Sequence, residues 1–279
     1  MVTVARETSE KAVETISALL AASGISSRAS KDDGQWTIEV PFLESHLAIR
    51  AIRDHSRESA FRAANRPAQW SHAGIVFALL IIVAHGITLW QGHDSVIRRG
   101  GISGYLLRRG EFHRCVTALF IHADVQHLAG NAVALAVLGS GVAAGTGPGV
   151  GALLILAAGA VGNTLNGVTH NTYRLSIGAS TAVFAAVGIL AARRFVEHRA
   201  AAAPRLRSWA PLAAALAFLS FLGTGPRTDL SAHLFGLLAG LALGWLHTLT
   251  HRNSRLIQLL AGSIAVAASA AAMLMVLRH

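Results

Sequence analysis

Four polar residues in this sequence have the types and surroundings to do chemistry together: a serine, a histidine, and a histidine–asparagine pair. The serine sits in Ser176-Ile177-Gly178-Ala179-Ser180-Thr181-Ala182-Val183-Phe184, preceded by small residues where an apolar run begins. A hydroxyl there can cap a helix. It can also be a nucleophile whose neighbours must be small so that another backbone approaches. Two further stretches favour the nucleophile. Ala232-His233-Leu234-Phe235-Gly236 supplies an imidazole, which titrates near neutral pH and can take the serine proton and return it to a leaving amine. The stretch from His122 to Asn131 supplies His127 and Asn131, spaced i and i+4, hence on one helix face, and both able to donate hydrogen bonds. Beside Ser180 they would form an oxyanion hole with the Ser180 backbone N–H, each donor contributing roughly 3–4 kcal/mol to the transition state. A helix starting at Ser180 adds partial positive charge there.

These residues need elements that bring them to one place. The chain has 279 residues, 53% hydrophobic and 14% charged, with mean hydropathy +0.49. Soluble domains carry about a quarter charged residues, so this balance points to a chain that crosses a membrane several times. Apolar runs near 72–90, 126–144, 149–169, 179–195, 209–223, 231–249 and 256–276 are candidate spans, the fourth and fifth being short. Between the first two lies a loop, residues 91–124, long enough to be functional or partly embedded. Net charge is +10, yet the arginines occupy short connections between apolar runs, which orients a membrane protein and gives no phosphate-binding face; no nucleic-acid partner is expected. Arg57, Arg62 and Arg66 precede the first span, Arg193, Arg194, Arg199, Arg205 and Arg207 follow the fourth, and Arg252 and Arg255 follow the sixth. Alternating spans put all three groups on one side, the cytoplasm, against Arg98, Arg99, Arg108, Arg109 and Arg114 on the other. The even-numbered spans then all begin at the outer side, which sets His127, Asn131, Ser180 and His233 at one level, and polar groups clustered within hydrocarbon imply function. No acidic residue falls inside the spans to orient the imidazole, so a dyad is implied and not a triad.

Residues 1–66 are expected to form a small cytoplasmic αββα domain with no chemical motif. A helix runs over 7–20, with Ala12, Val13, Ile16, Leu19 and Leu20 on one side and Gly24 as a stop. Strands follow at 25–29 and 35–40 around Lys31-Asp32-Asp33-Gly34. A second helix buries Leu47, Ala48, Ala51 and Ile52 and presents Arg50, Arg53 and Arg57 to solvent or anionic lipid; residues 63–68 link it to the first span. That span begins only after residue 71, so no secretory signal peptide is expected. The single cysteine, Cys115, excludes an internal disulfide and is expected to be a small buried hydrophobe. Gly236, Gly240 and Gly244 form a double GxxxG that lets span six lie against span four. Phe184, one turn beyond Ser180, would then stand near the His233 ring. His85, His170, His247 and His251 lie near span ends or loops, where a half-polar ring sits comfortably. No H-E-x-x-H helix is present, so zinc chemistry is disfavoured, and neither a metal nor a cofactor is expected.

Gly178-Ala179-Ser180, Ala232-His233 with its trailing glycines, and His122…His127…Asn131 together resemble the rhomboid intramembrane serine proteases. Glu111-Phe112-His113-Arg114 is similar to that family's Glu-x-Trp-Arg segment, with His113 at the tryptophan position. The resemblance covers roughly residues 70–250 and implies an all-α polytopic bundle of about seven transmembrane helices, a six-helix core over 67–250 and an extra C-terminal helix over 251–279. It implies Ser180 as nucleophile, His233 as base, His127 and Asn131 as oxyanion donors, and His122 as a structural histidine. Gly178, Phe184, Gly236 and Gly240 support them. Thr181 departs from the family's commoner glycine but is small. The implied activity is endopeptidase cleavage of transmembrane or juxtamembrane segments of other membrane proteins, at the inner (plasma) membrane, with the lipid bilayer as the other partner. Span five and the loop before span six are candidates for a gate. Two alternatives stay open: a catalytically inactive rhomboid-like protein that binds membrane helices, and a transporter or haem protein using membrane histidines.

Overall fold

The computed structural model describes residues 1–64, 71–170, 173–201, 203–222, 228–250 and 254–277. Most of the expected linker, the loop ahead of span six, and His251 with Arg252 lie outside these residues, as do the side chains of Arg57 and Arg62. The chain divides into two compact units, residues 1–66 with 200–203, and the remainder.

In the first unit β1 (Val2–Glu7), α1 (Glu10–Ala22), β2 (Arg28–Asp32), β3 (Gln35–Val40) and α2 (Ser45–Ala64) follow one another. The strands form an antiparallel sheet in the order β1-β3-β2. Helix, two strands and helix are present in the expected order, but a further strand precedes them. β1 pairs with β3 from about thirty to forty residues away, a long-range choice that no local pattern carries. The β2–β3 hairpin closes on Asp33-Gly34, both at positive φ (45° and 78°), the two-residue turn that Asp-Gly favours. That places β2 at 28–32 and not 25–29, and Ile25 instead joins Val13, Leu20, Ile38, Val40 and Ala48 in the core. Leu47, expected inside, is exposed, because only Ala48 of the first turn of α2 reaches this core.

The second unit contains α3 (Ala73–Trp90), α4 (His93–Gly100), α5 (Gly104–Arg108), α6 (Arg114–Thr117), α7 (Val125–Thr146), α8 (Pro148–Thr169), α9 (Ser180–Ala200), α10 (Arg205–Leu222), α11 (Leu230–Leu249) and α12 (Arg255–Leu277). The seven long helices match the seven expected runs. Among the described residues five of them, α3, α7, α8, α11 and α12, are long and apolar enough to cross a membrane, so the chain is a multi-pass membrane protein. α9 and α10 fall short of that mark by composition. In α9 the charged residues Arg193, Arg194, Glu197 and Arg199 of the second half bring it down, whereas Thr181 to Ile189 are uncharged and all buried, with Ala191 and Ala192. A helix wrapped by other helices meets little lipid, and small residues that let neighbours approach serve it better than large apolar ones.

The 91–124 loop is folded and not slack, with α4, α5 and α6 inside it. Buried Arg114 organises it, donating to Glu111 Oε2 at 2.7 Å, to the Arg98 carbonyl at 2.9 Å and to the Gly101 carbonyl at 2.8 Å. Thr117 Oγ1 adds a bond to the Gly100 carbonyl at 2.7 Å. Cys115 is buried, as its isolation suggested, in a cluster with Ile102, Leu107 and Ala118. At the other end of the bundle Gln258 of α12 accepts the Gly149 and Val150 N–H groups at 2.9 and 3.0 Å and donates to the Thr146 carbonyl at 2.8 Å. One side chain thus satisfies helix-terminal groups of both α7 and α8.

Candidate active site

The segment leading into α9 is held by the loop before α7. Ile102 and Ser176 exchange both backbone hydrogen bonds, at 3.1 and 2.7 Å. The Gly178 N–H donates to the Ala118 carbonyl at 2.8 Å, and the Ala179 N–H to His122 Nε2 at 3.3 Å. Gly178 has φ +123°, and a Cβ there would stand 2.5 Å from His127 Cε1. Backbone conformation and the ring of His127 therefore both require glycine. Ser180 is the first residue of α9, half-buried, and its hydroxyl faces across to α11 and not back along its own helix. Ser180 Oγ and His233 Nε2 are 2.9 Å apart, a hydrogen bond in which the hydroxyl donates when the ring carries its proton on Nδ1.

His233 is buried in the first turn of α11. Its ring stacks on Phe184, with centroids 4.5 Å apart and planes 26° from parallel. Behind it the glycine stripe lies against α9: a Cβ on Gly236 would overlap the Thr181 carbonyl oxygen, one on Gly240 the Ala185 carbonyl oxygen, and one on Gly244 would come within 2.7 Å of Ile189 Cα. The spacing thus brings spans four and six into backbone contact, as expected. It also explains how Thr181 is accommodated. Its methyl group packs where Gly162 of α8 and Gly236 of α11 have no side chains, 2.8 and 3.0 Å from the Cβ positions they lack.

On α7, Asp124 caps the helix by accepting the His127 N–H at 2.7 Å. His127 then lies against Gly178 and edge-on to His122, with ring centroids 5.3 Å apart. Asn131, one turn further, is buried, and its Nδ2 has no partner among the described residues. A buried amide donor left open is costly unless something outside the protein accepts from it. His122 is fully buried, and its pKa is pushed down to about 3, by burial first and then by His127 and His85 beside it. It is therefore neutral, and its Nε2 can accept the Ala179 N–H. His85, placed near a span end by the sequence, is buried with centroids 5.8 Å from His93 and 6.3 Å from His122. A cavity of about 700 Å³ reaches Ala179 and Ala182, but neither Ser180 nor His233 lines it, so it does not carry the chemistry.

Asp229 is the functional candidate that spacing alone did not single out. It caps α11, accepting the Ala232 N–H at 3.1 Å and the Ser231 hydroxyl at 2.8 Å on Oδ1 and Asn166 Nδ2 of α8 at 2.8 Å on Oδ2. Burial would raise its pKa, but hydrogen bonds from Ala232, Ser231, Ser176 and Asn166 outweigh that and hold it below the usual carboxylate value. The sequence signal was present: an aspartate directly before an apolar run is a helix-start residue.

The chain is similar to known proteins. The family described as Rhomboid domain matches residues 109–249, just over half of the chain, including all four polar residues and Asp229. A Bacillus subtilis (strain 168) protein, YdcA, is 25% identical over 174 residues, covering 62% of this chain and 82% of its own length. Its name assigns it provisionally as a rhomboid protease.

Proposed function

The chain belongs to the rhomboid family, and we propose that it is an intramembrane serine endopeptidase acting through Ser180 and His233. The observation that carries this reading is the 2.9 Å contact between Ser180 Oγ and His233 Nε2, made by residues 53 apart in sequence at the starts of two helices. In the first step Oγ attacks a peptide carbonyl as its proton passes to Nε2. The resulting oxyanion is stabilised by the Ser180 N–H at the helix start, by the open Nδ2 of Asn131, and by His127. Collapse of the intermediate delivers the proton from His233 to the leaving amine, and a water activated by the same imidazole releases the acyl group from the serine. The Phe184 ring stacks on the imidazole and restrains it.

The substrates are other membrane proteins, cut within or beside a transmembrane helix. A helical peptide bond presents its carbonyl poorly to attack, so the segment must unwind locally, which Gly or Pro near the cut favours. A small residue before the cut is expected from the family. The arginine distribution supports an orientation with residues 1–66 in the cytoplasm, and the family resemblance supports a bacterial plasma-membrane location. The test is cleavage of a model transmembrane substrate in proteoliposomes, together with labelling by a fluorophosphonate probe. Wild type should cleave and label, and Ser180→Ala and His233→Ala should do neither while remaining folded. Full activity in either variant, or a wild type that stays unlabelled and binds substrate helices without cutting them, overturns the proposal.

A further inference from the structure

The five acidic residues beyond residue 70 are Asp94, Glu111, Asp124, Glu197 and Asp229. Glu111 and Glu197 serve nearby arginines, and Asp124 caps the helix it precedes. Asp229 reaches further. One carboxylate oxygen accepts from the first turn of α11, and the other accepts from Asn166 in α8. Ser176, one of the groups that lower the carboxylate pKa, stands four residues before Ser180 in the segment that Ile102 holds by backbone pairing. Through its main chain Asp229 is the acceptor for the His233 N–H at 3.1 Å. One residue therefore joins the helix that carries the imidazole to α8, beside the strand-like segment that delivers the hydroxyl.

We propose that Asp229 is a positioning residue: its carboxylate clamps the first turn of α11 to α8, beside the 176–180 segment, and so sets the distance between Ser180 Oγ and His233 Nε2. This rests on the protease reading above. Helix capping alone would not call for this arrangement, since one oxygen of a serine or asparagine caps a helix nearly as well as aspartate. The second oxygen goes to a partner on another helix, Asn166, and hydrogen bonds to an ionised acceptor are the stronger kind. Glycine contacts keep the α9 and α11 backbones together along their length, but the first turn of α11 and the residues before Ser180 lie at the open ends of these helices, where a cross-link has most to hold.

Asp229→Ser separates the two roles, because serine still caps the helix yet is too short to reach Asn166. In proteoliposomes we expect Asp229→Ser to fold, to keep the wild-type KM for a transmembrane substrate, and to lose about 10- to 100-fold in kcat, the scale of a displacement of up to about 1 Å at a reacting pair. The fluorophosphonate labelling rate should fall by a similar factor, since it reports Ser180 activation without a substrate helix. Asn166→Ala and Ser176→Ala should each reproduce part of the loss and add little on the Asp229→Ser background, as members of one unit do. A folded Asp229→Ser with wild-type kcat and labelling overturns the proposal. If Asp229→Ser does not fold, Asn166→Ala, which leaves the cap untouched, decides in the same way. Ser180→Ala run alongside distinguishes the failures: if it stays active there is no pair to position and both readings fall, whereas an inert Ser180→Ala beside a fully active Asp229→Ser removes the positioning role alone.

Discussion

Gly236→Ala tests whether the packing of two helices sets the distance between Ser180 and His233. A Cβ at Gly236 would overlap the Thr181 carbonyl oxygen and come within 3.0 Å of Thr181 Cγ2 and 3.1 Å of the Thr181 carbonyl carbon. Two of these three atoms are backbone, so no rotamer change relieves the clash. To restore ordinary contact α9 and α11 must part by about 1 Å at this level, since the missing side chain is what let the backbones meet. His233 is three residues before Gly236, and Thr181 directly follows Ser180, so the separation acts almost undiminished on the 2.9 Å contact. A distance near 3.9 Å lies outside hydrogen-bond reach for a general base, about 3.2 Å at most. The expected loss is about 100-fold in kcat, or about 2.7 kcal/mol in the barrier, while substrate KM changes little. The assay is steady-state cleavage in proteoliposomes, with thermal unfolding to show that the variant is folded. Gly86→Ala in α3 is the control, because a Cβ there meets nothing within 4 Å, and its activity should be unchanged. A folded Gly236→Ala with wild-type turnover would refute the reasoning that backbone contact between α9 and α11 holds the pair.

Two further outcomes follow from buried groups. Arg114→Ala leaves the Arg98 and Gly101 carbonyls without their donor and Glu111 without its cation. It should cost about 3–5 kcal/mol by thermal or chemical unfolding, and Arg114→Lys should recover little, since an ammonium cannot reproduce the fork that serves all three acceptors. His122 has its pKa lowered from the ordinary 6.5 to about 3 by burial, so its contribution to stability is fully present above pH 6.5 and is lost as pH falls towards 3. Over that window the unfolded chain binds a proton that the folded one refuses, which predicts a slope of about 1.4 kcal/mol per pH unit from this group. A stability profile in detergent that loses no part of its slope in His122→Gln would contradict this assignment.

Much of the site was legible because its signals are local. Ser180 and His233 announce themselves by standing at the mouths of apolar runs, and the Gly236, Gly240 and Gly244 register shows on its own that span six must touch another backbone. His127 and Asn131 fall on one face through helical period alone. Residues whose meaning depends on a distant partner were not legible. Asp229 looks like an ordinary helix start until Asn166 of another helix is seen to bond its carboxylate. His85 looks like a span-end ring until the fold buries it beside His93 and His122. β1 has no pattern that names β3 as its partner, and Leu47 has the right helical phase for a core that does not extend to it.

By itself the amino-acid sequence determined the number and extent of the long helices, the side on which their polar residues gather, and the chemical types available there. Those properties follow from hydropathy and helical period, which act over a few turns of one segment. The tertiary structure alone decided the 2.9 Å approach of Ser180 to His233, the room made for Thr181 by two glycines on other helices, and the three-way bond at Asp229. Each depends on residues tens of positions apart meeting within an ångström or so, and only close packing of the folded chain sets distances on that scale.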